Sequence, residues 1–196
     1  MPITQLAFSP DGRTLATGDG ESYKFVPEAG AYDVYVQPGQ VQLWDMTERR
    51  VRRTLRDFVG PISALAFSPD GQVFAVGSKD GKVRLWDARD LHRVGDGDAV
   101  INPVREFEAF TKSVTGIAFA PHGRTLGVAG IDRGPQEIGD IKLYDTATWT
   151  VRPRLIEGPS ILLGHQNLIS GASIPFSPDN RTLATGSWDG SLRLWD

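Results

Sequence analysis

The chain has 196 residues, a formal net charge of −3, 22 glycines, 13 prolines and no cysteine. That length supports one sizeable core, and the Gly and Pro content suits many short strands joined by tight turns. The charge gives no global field toward nucleic acid or an anionic membrane. The lack of cysteine excludes disulfides, thiolate metal sites and Cys nucleophiles without fixing the compartment.

Met1-Pro2-Ile3-Thr4 enters a strand directly, without the basic start and apolar stretch of a signal peptide. No apolar run approaches the ~20 residues of a membrane helix, so the expected location is the cytoplasm. Arg outnumbers Lys by 16 to 5, which points to GC-rich coding and a bacterial source.

The first predicted strands are Thr4–Phe8 and Thr14–Thr17, joined through Ser9-Pro10-Asp11-Gly12. A long insertion, Asp19 to Gln40, follows. Within it, residues 22–26 and 32–36 flank Pro27-Glu28-Ala29-Gly30, two β-prone runs about a turn, which predicts a protruding hairpin. Val41–Trp44 and about Arg50–Leu55 complete the first unit. The next stretch, ISALAFSPDGQVFAVGSKDGKVRLWD from Ile62 to Asp87, is the most regular. Asp-Gly between apolar runs is a strong hairpin signal, because Gly takes positive φ freely and Asp tolerates it. It reads as three short antiparallel strands. A long connection, Ala88 to Pro103, leads to a strand at about Val104–Phe107. The third unit has strands at Val114–Phe119 and Thr125–Ala129, an insertion at Ile131 to Asp140, and Ile141-Lys142-Leu143-Tyr144. An extended connection, Thr146 to Pro159, then leads to a strand near Ile161–Leu163. The fourth is SIPFSPDNRTLATGSWDGSLRLWD, Ser173 to Asp196.

The pattern thus occurs four times, and Asp45 and Asp87 are 42 residues apart, inside the roughly 40–45-residue period of four-stranded blades. On these SPDG and LWD motifs the chain resembles the WD40 repeat family. The resemblance covers essentially all of it and implies an all-β, WD40-type β-propeller region. Its four blades span about 3–55, 62–107, 114–163 and 173–196. With strands lettered a to d from the channel outward, blade 4 holds a to c and lacks d. The expectation is therefore a partial or open propeller, a fragment of a longer one. Two copies joining into an eight-bladed ring, and a closed four-bladed ring, are the alternatives. Antiparallel connectivity puts a–b and c–d turns on one face and b–c and d–a turns on the other.

The resemblance also implies a structural tetrad of a d–a His, a strand-b Ser or Thr, a b–c Asp and a strand-c Trp. Blade 4 matches it with His165, Ser187, Asp189 and Trp195. Blade 2 matches in part with Ser78, Asp80 and Trp86, while Phe58 stands in place of His. Blade 3 has Phe110 there and Tyr144 for Trp. Blade 1 keeps Trp44, with Asp19 for Ser and Pro38 for Asp. The role is stability, and no catalytic residue is assigned.

No other group makes a site. Three scattered His and no Cys argue against a metal site. Asp96 and Asp98 lack the ligand ladder of a Ca²⁺ loop, and read as an acidic turn. His122 replaces Asp in an a–b turn, and Asn180-Arg181-Thr182 is a chance sequon in another. No phosphate loop or nucleophile elbow is present, and no cofactor is expected. Five arginines between Arg49 and Arg56 read as a charged outer strand that resists edge pairing, in preference to a nucleic-acid patch.

The functional expectation is a non-enzymatic scaffold for protein–protein interactions that binds through its b–c loop face. Both b–c insertions emerge there. One brings Tyr23, Phe25, Tyr32 and Tyr35, the other Arg133 and Glu137; Tyr and Arg are enriched in binding hot spots. Partners are other proteins or peptides, with self-association through open terminal blades; no nucleic acid and no membrane is expected. The alternatives are a regulatory or sensory module of a larger bacterial protein, such as a kinase tail, and an enzymatic or small-molecule propeller.

Overall fold

The computed structural model describes residues 2–26, 31–93, 101–134, 139–152 and 174–195. Blade 1 comprises β1 (Ile3–Phe8) and β2 (Thr14–Asp19), the hairpin strands β3 (Glu21–Val26) and β4 (Ala31–Val36), then β5 (Val41–Asp45) and β6 (Arg50–Leu55). Blade 2 follows with β7 (Ile62–Phe67), β8 (Val73–Ser78), β9 (Lys82–Asp87), a short helix α1 (Ala88–Arg93) and β10 (Arg105–Glu108). Blade 3 supplies β11 (Ser113–Phe119), β12 (Thr125–Ile131) and β13 (Gly139–Asp145), and blade 4 supplies β14 (Leu183–Gly186) and β15 (Leu192–Trp195). Blades 1 and 2 are four-stranded antiparallel sheets in the orders β1-β2-β5-β6 and β7-β8-β9-β10. The strand expected near Ile161–Leu163 lies outside the described residues.

One sequence motif makes three of the a–b turns. Ser9, Ser68 and Ser177 each donate the side-chain hydroxyl to the Asp two residues on, at 2.6, 2.6 and 2.5 Å. The same hydroxyls accept the backbone N–H of Thr14, Val73 and Thr182, each at 2.9 Å. Each Asp also accepts the N–H two residues further along. The turn needs one left-handed residue, supplied by Gly12, Gly71 and, with φ of 62°, Asn180. Blade 3 has Ala120 and His122 instead, and there His122 Nδ1 accepts the Arg124 N–H at 3.0 Å. The carboxylates are thus consumed by their own turns.

Two c–d connections differ from expectation. Instead of an extended run to Pro159, blade 3 turns back at once. Asp145 N–H donates to Thr150 O (2.9 Å), Arg152 N–H donates to Leu143 O (2.7 Å), and Tyr144 bridges Val151. Asp145 Oδ1 accepts the Ala147 and Thr148 N–H groups and Trp149 takes φ of 57°. Asp45 closes the equivalent turn of blade 1 on Thr47 and Glu48, with Arg49 at φ 53°. In blade 2 the loop after Asp87 opens with α1. Asp87 caps it by accepting the Arg89 N–H (2.9 Å), and Ala88 and Leu91 are buried in the blade 1–blade 2 core.

Adjacent blades pack face to face, strands b and c of one blade against strand a of the next: a Cβ on strand-b Gly18 would meet Ile62, and one on Gly77 would meet Val114. Val41 and Leu43 meet Ile62, Leu65 and Phe67; Val83 and Leu85 meet Val114, Ile117 and Phe119; Ile141 and Leu143 meet Ile174 and Phe176. Hydroxyls tie the starts of the inner strands. Thr4 Oγ1 donates to Ile62 O (3.3 Å), and Ser63 Oγ to Val114 O (2.7 Å). The inner strands therefore run in one direction, and equivalent turns of blades 1 to 3 fall on the same face.

Candidate functional site

The strand-c tryptophans of blades 1 and 4 bond strand-b threonines two residues before the positions the sequence reading gave the tetrad hydroxyl. Trp195 Nε1 donates to Thr185 Oγ1 at 2.9 Å, not to Ser187. The register explains this. Trp195 lies opposite Leu183, and Thr185 opposite Arg193. At about 3.3 Å per residue, Thr185 is within diagonal reach of the indole, whereas Ser187 is roughly 13 Å along the strand. Ser187 serves the b–c turn instead, its Oγ accepting the Asp189 N–H at 3.2 Å. Asp189 in turn accepts from Ser191. Blade 1 repeats the pattern. Trp44 Nε1 donates to Thr17 Oγ1 at 3.2 Å, while Asp19 takes the backbone and side-chain N–H groups of Gln40. His165 lies outside the described residues. The consequence is testable. Thr185→Val should destabilise the protein by about 1–2 kcal/mol by orphaning a part-buried indole N–H. Ser187→Ala should cost less, and paired urea titrations would show the order.

In blades 2 and 3 the hydroxyl position holds Val76 and Val128, and a different device replaces the tetrad. Trp86 Nε1 turns to Ile101 O (3.0 Å), and Ser78 Oγ donates to Gly60 O (3.1 Å). Arg84 pairs with Asp80 (2.8 Å) and Glu106 (2.6 Å), and its guanidinium lies 5.2 Å above the Phe58 ring. Phe58 is buried and its ring centroid is 6.0 Å from that of Trp86. Blade 3 does the same with Lys142. Its Nζ sits 4.2 Å from the Phe110 ring centroid, donates to Ala109 O (2.7 Å) and pairs with Asp132 (3.3 Å). A strand-c cation, a b–c aspartate and a d–a phenylalanine thus occupy the places of the tetrad. Lys82 and Arg84 hold the Glu106 carboxyl below its usual range, the Lys82 hydrogen bond most.

Burial pushes the Tyr144 phenol from its usual 10 up to about 12. The folded state favours the neutral phenol, so this contribution is intact below pH 10 and is lost as pH rises from about 10 to 12. Stability measured across that interval should fall less steeply in Tyr144→Phe.

At the b–c end, Arg133 and Trp188 are exposed. The β3–β4 hairpin leaves the sheet between β2 and β5, its register pairing Phe25 with Tyr32, Tyr23 with Val34 and Ser22 with Tyr35. Its base is tight. Gly39 N–H donates to Gly60 O (3.1 Å), and a Cβ on Gly20 would lie 2.8 Å from Pro61. Arg133 is exposed, with its backbone N–H donating to Thr111 Oγ1 (2.8 Å). Glu137 lies outside the described residues. Trp188, 74 % exposed in the blade 4 b–c turn, was not among the sequence candidates. Its signal was there: blade 2 has Lys79 at the same place in the Ser-x-Asp-Gly turn.

The opposite face has a cleft of about 540 Å³. Leu43, Trp44, Phe67 and Leu91 line it, with Asp11 and Arg13 also contributing. The arginine-rich outer strand is partly neutralised. Arg50 pairs with Glu48 (2.5 Å), Arg52 with Asp45 (3.2 Å), and Arg53 is 2 % exposed. Among the described residues no three His, Cys, Asp or Glu gather as metal ligands, and no helix is long and apolar enough to cross a membrane.

Comparison with known proteins agrees with this architecture. The family model described as "WD domain, G-beta repeat" matches residues 1–23, 50–87 and 159–196. The chain is 35 % identical over 156 residues to a guanine nucleotide-binding protein subunit beta of Oryza sativa subsp. indica, covering 79 % of this chain and 37 % of that protein. It is 28 % identical over 196 residues to pre-mRNA-processing factor 19 homolog 2 of Arabidopsis thaliana, covering 100 % and 29 %. A periodic tryptophan protein 2 homolog of Dictyostelium discoideum is 29 % identical over 199 residues, covering 99 % and 17 %. The chain thus spans less than two fifths of the length of these relatives.

Proposed function

The chain belongs to the WD40 repeat family, and from that premise we propose that it is a non-enzymatic scaffold whose b–c face binds another protein or peptide. The observation that carries the reading is the exposure of Arg133 and of Trp188, a tryptophan 74 % exposed, at the b–c end of the blades, where the β3–β4 hairpin is also inserted between β2 and β5. Aromatic and Arg side chains on a fixed frame are the chemistry of interface hot spots. A relative named as a subunit supports the same reading, since a subunit works in assembly with other chains.

Quantitative capture from extracts of the source cells tests it. Trp188→Ala, Arg133→Ala and Tyr35→Ala should weaken partner capture, by about tenfold where the residue is a hot spot. Arg13→Ala, at the cleft on the other face, should leave it unchanged. The reverse order would assign binding to the cleft and overturn the face assignment.

A further inference from the structure

We propose that the b–c face receives an acidic segment of its protein partner, with a carboxylate of that segment seated on Arg133. This rests on the b–c reading above and names the chemistry of the partner that reading calls for.

Arg133 is presented on a fixed frame. The b–c segment of blade 3 is fastened to the connection that enters the blade, residues 109–112. Thr111 N–H donates to Asp132 Oδ1 (2.7 Å), and Thr111 Oγ1 donates to the same oxygen (3.0 Å). Thr111 Oγ1 also accepts the Arg133 N–H (2.8 Å), and Lys112 N–H donates to Ile131 O (3.1 Å). Ile131, Asp132 and Arg133 are thus pinned in succession, so binding there orders little further backbone. Asp132 is the adjacent acid that could neutralise Arg133, and it is turned inward to Thr111 and to Lys142 Nζ (3.3 Å). Among the described residues the Arg133 guanidinium has no hydrogen bond or ion pair, and the side chain is exposed. That exposure owes nothing to either end of the chain, because blade 3 lies between blades 2 and 4.

The neighbouring turn adds positive charge. The b–c turn of blade 2 is fastened to the same connection, with Ala109 and Phe110 donating N–H groups to Gly81 O, both at 3.0 Å. That turn carries exposed Lys79, while its aspartate, Asp80, is engaged by Arg84 (2.8 Å) and the Lys82 N–H (3.0 Å). Glu108, the exposed acid just before the connection, lies opposite Lys82 on the outer strand.

An acidic protein segment is the occupant because a single planar guanidinium fork matches a single carboxylate. Nucleic acid and anionic membranes draw their affinity from many basic contacts at once. Here Arg84 and Lys142 are already committed to their own aspartates, and the whole chain carries a charge of −3.

A random peptide library displayed on phage, panned separately against the wild-type chain and the Arg133→Glu variant, tests this. The wild type should select peptides rich in Asp and Glu, and Arg133→Glu should shift the selection to Lys and Arg. For a selected acidic peptide, Arg133→Gln should weaken binding by at least about tenfold. Amide replacement of the peptide carboxylates should do the same to the wild type and add little to Arg133→Gln, which gives the coupling. Thr111→Val should weaken binding, and Thr111→Ser, which keeps the hydroxyl, should restore it, as expected of a positioning residue. Thermal melts check that each variant folds. Selection of the same charge by both proteins, or an unchanged affinity in Arg133→Gln, overturns the proposal. So does tighter binding of a single-stranded oligonucleotide that Arg133→Gln abolishes. Peptides of no particular charge that still require Trp188 would overturn it and leave the b–c reading standing, whereas peptides that require Arg13 instead would overturn the b–c reading itself.

Discussion

Arg84→Met is expected to destabilise the protein by about 3 kcal/mol, the range for breaking a buried ion pair from one side. Arg84 and Asp80 are 7 % and 9 % exposed at their side chains, so the substitution strands the Asp80 carboxylate away from water. It also removes the cation above Phe58. Glu106 is 36 % exposed and remains solvated, so little of the loss arises there. Asp80→Asn discharges the stranded partner but keeps an acceptor for the Lys82 N–H, which the b–c turn requires. The double variant Arg84→Met/Asp80→Asn should therefore recover a substantial part of the loss. Urea unfolding of the four proteins gives the coupling. Additive losses would mean that the pair does not hold blade 2.

Gly81→Ala should cost a similar amount, about 3 kcal/mol, from a left-handed backbone and steric overlap together. Gly81 has φ of +84°, and a Cβ there would lie 2.0 Å from the Phe110 carbonyl oxygen. The oxygen cannot swing away cheaply, because Ala109 and Phe110 donate their own N–H groups to Gly81 O, both at 3.0 Å. The turn of blade 2 and the entry to blade 3 are thus fastened to each other. Gly12→Ala is the control. It shares the positive φ but meets nothing within 4 Å, so only the backbone penalty of roughly 1 kcal/mol applies. Thermal melts should show a drop about three times larger for Gly81→Ala. Equal drops would place the whole cost in the backbone.

The sequence showed most where a turn has a single chemical solution. Ser-Pro-Asp-Gly marked the a–b turns at Ser9 and Ser68, and the strands around them form as expected. It showed least where one local pattern serves two geometries. The blade 3 c–d turn uses Trp149 at positive φ, a residue that gives no turn signal. A faint signal lay in the pairing of Asp145 with Arg152 (2.8 Å), which repeats Asp45 with Arg52 seven residues apart. Helix α1 has six residues, too few for a periodic pattern, and forms because Ala88 and Leu91 find a core that β5 and β6 help to build. Thr185 in β14 and Ser187 just past its end are both hydroxyls at alternate positions. Only the register with Trp195 distinguishes them. The Arg84–Asp80 and Lys142–Asp132 clamps were hidden because a charged residue two positions before the strand-c aromatic reads as a solvated face until its partner is placed. On the candidate face, the hairpin was legible from two β-prone runs about a Pro-Gly turn. Trp188 was not, because it sits inside a motif whose other residues already had a structural role.

The central claim is that partners meet the b–c end of the blades. Site-resolved photocrosslinking tests it most directly. A benzophenone amino acid would be placed in turn at positions 35, 133 and 188, and at positions 13, 70 and 179 on the a–b face. The account predicts discrete crosslinked adducts from the first three positions and none from the last three. Adducts confined to positions 13, 70 and 179 would contradict it and move binding to the face that holds the cleft.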